Sequence, residues 1–497
     1  MSRMKKFNFY SKYLMVIPML FLVMACEDYL DVNDDPNRIS EEEVEMEVLL
    51  PTSIYYLGDT YFNISYYTSQ YAQQSSSVGN NGPSNQNELS LTSAWINIYL
   101  DGLTSVATIM NKATEAEAYH YRGIAGILRV MNVGIATDHW GAIPFDEALL
   151  EEENFSPSYN DQSYIYAQIP RLLDEAIEDL EREDNSIYQP GEDDLVYGGD
   201  ISKWIKLAYT LKARYAIHLT KKGTIEAAQM VLEALENGME SNTDDFGLDY
   251  STRTFNPWYA GVVLAGQTGN SNLIISEQVV QFMDGTSYPF ASAELENDPR
   301  LDIIAFNESN GNPLIGGING AGKGAANARF AEDSYYTSQT APVEMVTFAE
   351  SKFIEAEARF LLNEGDARSE GTTQEAYNAY LDGIEANLTK VGVSPAERAL
   401  YLTDASIAVG AENLTLDLIM KEKYLALFLH PEVWTDMRRY DYNDEVYKDL
   451  SLPVAHNPFL EGKWVRRVRY PDSEYSRNDE NVQEVTKDVS TRLWWDQ

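Results

Sequence analysis

Two runs decide the fold: Val343–Asn363, VEMVTFAESKFIEAEARFLLN, and, past Gly365 and a turn at Gly371, Thr373–Val391, TQEAYNAYLDGIEANLTKV. Apolar residues recur in both at the spacing of a helix that buries one face. Ala349, Ala356, Ala358, Ala376 and Ala379 fall where two helices would cross. Small side chains at a crossing let helix axes approach closely, so the two runs read as an antiparallel hairpin. The pattern extends in both directions. Helices are expected over about 115–138, 162–182 and 202–221, and, after Gly223, over 224–238. A last one is expected from Leu414 to Leu429, with a short one after Pro431. Recurring helix–turn–helix units of this kind predict a mostly α fold, a tetratricopeptide-like helical-repeat solenoid. Long segments rich in Gly, Asn and Tyr interrupt the repeats at about 240–340 and 440–497. Such irregular loops usually carry function and are expected to form the ligand-facing side.

No Pro-rich or Gly/Ser linker divides the chain; Gly316–Gly324 reads as a loop within one domain. The expected division is a signal peptide over 1–25, an acidic tether over 26–40 and a single domain over 41–497. The basic Arg3, Lys5, Lys6 and Lys12 precede an apolar run from Tyr13 to Ala25. That run is too short for a hydrocarbon core, which needs about 20 residues, but suits a secretory signal. Val23-Met24-Ala25-Cys26 then reads as a lipobox, with Ala25 small enough for a peptidase cleft and Cys26 supplying the thiol for a lipid. Cys26 is the only cysteine, so no disulfide forms within the chain. A helix is expected over Ser40–Leu50, with Ser40 as N-cap and Glu43 three residues on. Tyr55–Tyr71 is dense in Tyr and reads as helix packing or partner-facing surface.

There are 78 acidic and 37 basic residues, a net charge of −41. That balance argues against nucleic acid, which needs a basic footprint, and against anionic headgroups. The 33 Tyr and 8 Trp exceed what packing alone needs and suit a surface that stacks on ligands.

Several passages resemble one family. Cys26-Glu27-Asp28-Tyr29-Leu30-Asp31 with Asp35-Pro36-Asn37, and Thr137-Asp138-His139-Trp140-Gly141-Ala142-Ile143-Pro144-Phe145, are two of them. Asp298-Pro299-Arg300-Leu301, Glu355-Ala356-Glu357-Ala358, and Lys421-Glu422-Lys423-Tyr424 with Glu432 through Arg439 are others. Arg469-Tyr470-Pro471 with Glu474 and Asn478 closes the series. Together they resemble, in family order, a SusD/RagB-type nutrient-binding outer-membrane lipoprotein of the second SusD-like subfamily. The resemblance implies a lipoprotein on the cell-surface face of the outer membrane. It implies a lid on a SusC-like, TonB-dependent transporter that passes on glycans or peptides, with oligosaccharide the family default. It also makes the acidic residues after Cys26 an export signal.

Bland readings compete with functional ones. Trp434, Arg438 and Arg439 near Glu432 suit a buried ion-pair and stacking cluster. His139 suits a hydrogen-bonded core position. No catalytic function is expected. The histidines at 120, 139, 218, 430 and 456 make no HxxxH or HExxH pattern, and no GxSxG elbow or phosphate loop occurs. Paired carboxylates of a surface glycoside hydrolase remain the alternative, since acids are abundant. No cofactor is expected beyond the lipid on Cys26. Asp31, Asn33, Asp35 and Glu42 have calcium-loop spacing, but Pro36 stands where the sharp turn needs Gly, so calcium is not expected there. For ligand binding, Asn256, Trp258 and Tyr259 are candidates, with Trp95 and Asn97 where similar proteins place binding residues.

Overall fold

The computed structural model describes residues 45–79, 82–149, 154–270, 272–308 and 313–497. Met46–Gln497 is one compact unit. The long helices are α1 (Met46–Tyr71), α2 (Thr104–Glu115), α3 (Tyr119–Trp140), α4 (Gln162–Glu181), α5 (Ile201–Ile217), α6 (Thr224–Leu235), α7 (Phe348–Leu362), α8 (Gln374–Lys390), α9 (Pro395–Thr403), α10 (Leu416–Ala426) and α11 (Glu432–Arg439). Each of α2 through α8 packs on the next. The solenoid is therefore continuous in space, although about a hundred residues separate α6 from α7 in sequence.

Helix starts follow local chemistry. Asp200 accepts from the Ser202 amide, Thr347 from Glu350, and Thr373 from Ala376. Ser394 and Glu397 form a capping box with Pro395 at the first helical position. The hairpin expected from Val343 is present with one correction. Val343–Val346 is a strand, and the helix begins only at Phe348 after Thr347. The β-branched Val343, Val346 and Thr347 favour extended backbone, and the Thr347 cap fixes where it ends. The expected helix over 115–138 is in fact α3, with α2 before it. Glu117 takes a positive φ of 53° between the two. The Tyr-rich run is the body of α1, which continues through residue 50, where a helix end was expected. The first residues of that expected helix, Ser40 included, lie outside the described residues.

Small residues set the crossings. A Cβ on Gly383 of α8 would come within 2.9 Å of the Phe353 ring on α7. A Cβ on Gly123 of α3 would lie 2.6 Å from Leu180 and 2.8 Å from the Ala176 carbonyl on α4. Both helix pairs depend on a missing side chain.

The sheets are small antiparallel pairs: β1 (Ser75–Ser77) with β5 (Leu273–Ile275), β2 (Ile143–Pro144) with β3 (Tyr159–Asn160), β4 (Phe246–Leu248) with β8 (Val343–Val346), and β6 (Ala305–Asn307) with β7 (Ala328–Phe330). Three of these pairs pin the 240–340 insertion, β1–β5 and β4–β8 by joining it to distant segments and β6–β7 by pairing it internally. Among the described residues no helix is long and apolar enough to cross a membrane.

Candidate functional site

Several of the passages that carry the family resemblance form buried ion networks. Arg439 spans Glu357 (2.8 Å) and Asp436, and Lys423 adds to the same carboxylates at 3.3 and 2.9 Å. Arg438 lies 3.9 Å over the Trp434 ring and donates to the carbonyls of Asp138 and Arg466. Glu432 pairs with His218 instead, at 2.9 Å. His139 is buried, its Nδ1 2.7 Å from the Ile135 carbonyl oxygen. Burial, helped by Arg438, pushes its pKa down to about 3, so the ring is neutral.

Asp138, His218 and Glu432 bring ligand-type atoms within 4.8 Å of one another. His218 bridges the two carboxylates, with Nε2 on Glu432, and its Nδ1 contacts the Tyr166 hydroxyl at 2.9 Å. All three are buried; Asp138 Oδ1 accepts from Tyr166 and Trp495 while its Oδ2 makes no hydrogen bond among the described residues, so the trio has the makeup of a buried structural cluster.

The sequence candidates fall in different surroundings. Asn256 is fully buried and accepts from the amides of Trp258 (2.7 Å) and Tyr259 (3.1 Å), while donating to the Ala341 carbonyl. With Pro257 next, it is a helix cap, and Asn-Pro was the signal for it. Trp258 is buried edge-on against Phe62 at 5.2 Å. The crevice beside it measures about 20 Å³, room for one water and not for a sugar ring. Trp95 is buried between Tyr99 and Trp140 and donates to Glu474. Asn97 is buried and donates to Asp59 at 2.6 Å. Of the five, Tyr259 alone keeps part of its ring at the surface, 5.7 Å from the exposed Phe255. Cys26, Asp31, Asn33, Asp35 and Glu42 lie outside the described residues.

The exposed chemistry gathers elsewhere in the insertion, on β6–β7. Phe306 is paired directly with Arg329 across the ladder. Strand alternation sends Ala305, Ala328 and Phe330 into the core and turns Phe306 and Arg329 outward. Phe306 is 49% exposed. Glu308 holds Arg329 at 3.2 Å and Lys323 at 2.8 Å. Hydrogen bonds from these two cations keep its carboxyl below the usual range.

A 210 Å³ pocket opens on one side of Phe306, walled by Val262, Val263, Gly266, Gln267 and Leu273. A wider cleft of 730 Å³ opens on the other, edged by Asp302, Asp333, Tyr335 and Lys390. Phe306 and Glu332 line both. A flat apolar ring ringed by carboxylates, a guanidinium and an amide can stack on a sugar face and bond its hydroxyls. Nothing in the sequence singles out Phe306, because Ile303-Ile304-Ala305-Phe306 is an unbroken apolar run with no alternation to mark an outward-facing ring.

Phe306 thus stands on an open, aromatic- and carboxylate-lined face of a helical-hairpin solenoid. The chain belongs to the second SusD-like family, described as starch-binding and associating with the outer membrane, whose model matches residues 36–471. Members of this family are nutrient-binding proteins that act at the outer membrane. Among solved structures, a chitin-binding protein is 23% identical over 91% of this chain and 100% of its own, with a TM-score of 0.73. A SusD/RagB family protein from Bacteroides thetaiotaomicron is 21% identical over 91% and 99%, with a TM-score of 0.71. A chitin-binding SusD homolog from Flavobacterium johnsoniae is 21% identical over 91% and 96%, with a TM-score of 0.67. No curated protein matches the chain.

Proposed function

We propose that the chain is a lipid-anchored nutrient-binding lid, held at the cell surface through Cys26, that takes up an oligosaccharide for a SusC-like TonB-dependent transporter. The observation that carries the ligand reading is Phe306, an exposed ring set between two clefts and flanked by Arg329, Glu308 and Glu332. Family membership and the chitin-binding neighbours support a glycan as cargo. Tyr259 with Phe255 offers a second aromatic surface near Val262 and Val263, and Asn256 and Trp258 hold that segment from beneath. The binding function needs no catalytic group.

Isothermal titration of the mature chain against chito-, malto- and other oligosaccharides, with a peptide panel alongside, tests this. Binding of one glycan class that weakens tenfold or more in Phe306→Ala supports it. Glycan binding indifferent to Phe306→Ala moves the site elsewhere. Binding of peptides alone replaces the cargo, and turnover of a bound glycan replaces the role.

A further inference from the structure

α2 and α3 and the loop after β2 enclose a further pocket of about 270 Å³. Its apolar walls are Val106 and Met110 from α2, Val133 from α3, and Phe145 and Leu149 from the loop, and Asn111 of α2 adds an amide. One guanidinium enters it, that of Arg129. Arg129 is half-buried and lies 5.1 Å over the Phe145 ring.

Among the described residues Arg129 has neither a hydrogen bond nor an ion pair. That is anomalous in a chain where acids outnumber bases 78 to 37. Its neighbours show the ordinary outcome. Arg122 is held by Asp179 at 2.6 Å, and Arg182 by Glu178 at 2.7 Å. The acids nearest Arg129 are engaged elsewhere: Asp146 by Asn160 and Tyr164, and Glu175 by Arg171. Burial lowers the pKa of Arg129, the direction expected of a desolvated cation without a close counter-ion. Arg129 also lines a polar groove on its other side, with Arg122, Glu175 and Asp179. The guanidinium thus stands at the boundary between this pocket and the groove.

We infer that this pocket binds a small monocarboxylate with an apolar body, the carboxylate forked by Arg129 and the body seated against Val106, Met110, Val133 and Phe145. A planar guanidinium presents paired donors that match a carboxylate, and a half-desolvated setting strengthens the pair. The volume is about nine water-sized units, enough for a medium-length acyl chain and well above the roughly 150 Å³ that holds benzene. The site shares no residue with the Phe306 face, so it stands or falls independently of the glycan reading.

The test is isothermal titration of the mature chain with octanoate, 1-octanol and octylamine. Octanoate is expected to bind at least tenfold more tightly than either other probe. Arg129→Gln should reduce octanoate to the level of octanol. Ala107→Phe, on the half-buried pocket wall, should weaken octanoate by filling the space while Arg129 stays in place. Both variants should retain the wild-type melting temperature within a few degrees and leave oligosaccharide binding unchanged. Absence of octanoate binding overturns the inference. So does equal affinity for octanoate and octanol, or octanoate binding that survives Arg129→Gln.

Discussion

Arg300 and Glu422 are 122 positions apart, both fully buried, and their side chains meet at 2.6 Å. Arg300 also holds Asp298 at 2.6 Å and Asn387 of α8 at 3.1 Å. Glu422 also receives Lys421 and the Tyr401 hydroxyl, each at 2.7 Å. The Asp298–Leu301 turn is thereby tied to α8, α9 and α10. Burial would raise the Glu422 pKa, but Lys421 and Arg300 outweigh it and bring it down to about 2. Glu422→Gln leaves two buried cations under-compensated, and losing one partner of a buried pair typically costs about 3–5 kcal/mol. Urea unfolding should show that loss; a midpoint equal to wild type would make the network dispensable.

The same networks give a pH profile with two limbs. Glu357 is also brought down to about 2, by Arg439 and Lys423 against the effect of burial. For Glu357 and Glu422 the folded pKa lies below the ordinary value of 4.5. Their contribution is present above pH 4.5 and is lost as pH falls toward 2. Asp138 and Asp245 shift the other way, to about 6 and about 7, chiefly through burial. Their contribution is present below the ordinary 3.8 and is lost as pH rises through 6 to 7. Thermal melts at fixed ionic strength should therefore peak near pH 4, between the ordinary values of 3.8 and 4.5. Glu357→Gln should flatten the acid limb, and Asp245→Asn the neutral limb. Melting temperatures that climb steadily to pH 8 would contradict the assignment for Asp138 and Asp245.

Close helix contact makes Gly383 intolerant of a side chain. Gly383→Ala drives a methyl group into the Phe353 ring, which it would meet at 2.9 Å. Overpacking of this kind costs about 1–3 kcal/mol. Phe353→Leu alone should also destabilise, but the double variant should lose less than the two losses added together. Strict additivity would mean that α7 and α8 separate slightly and absorb the methyl without repacking.

Periodicity made the solenoid legible. The pairs around Val343–Val391 and 202–238 were readable because each helix buries one stripe against its neighbour. The resemblance to SusD-like proteins was legible through Asp298-Pro299-Arg300-Leu301 and Glu355-Ala356-Glu357-Ala358, charged motifs that the fold buries. What the sequence could not show was contact across the insertion. Nothing near Leu235 signals that α6 packs on α7, because about a hundred residues intervene. The same gap misdirected the reading of the ligand face. Trp258 and Trp95 have the right chemistry for stacking, but their large rings are drawn into the core. Phe306 stays outside because Arg329 and Glu308 occupy the same strand face. Composition cannot distinguish the two fates; strand register can.

That distinction has a direct test. Trp258→Ala should lower the melting temperature sharply, since truncating a buried Trp costs about 3–5 kcal/mol. Phe306→Ala should leave the melting temperature nearly unchanged, because half of the ring is already in water. Affinity should follow the opposite order, with Phe306→Ala the larger loss at a temperature where both variants are folded. A Trp258→Ala protein that melts like wild type yet no longer binds glycan would return the site to Trp258.

The anchor tests the role of the whole chain. A lipid contributes about 0.8 kcal/mol for each buried methylene, so several acyl chains on Cys26 would hold the protein at a membrane while leaving the mature domain free to move. Cys26→Ala removes the thiol and nothing of the compact unit Met46–Gln497. Its melting temperature and oligosaccharide affinity, measured on purified protein, should therefore equal those of the mature wild type. In cells the variant should leave the membrane fraction, and growth on the cognate glycan should fail although growth on its monosaccharide continues. Growth on the glycan at the wild-type rate, with the variant absent from the membrane fraction, would show that the domain works without its lipid and would end the tethered-lid reading.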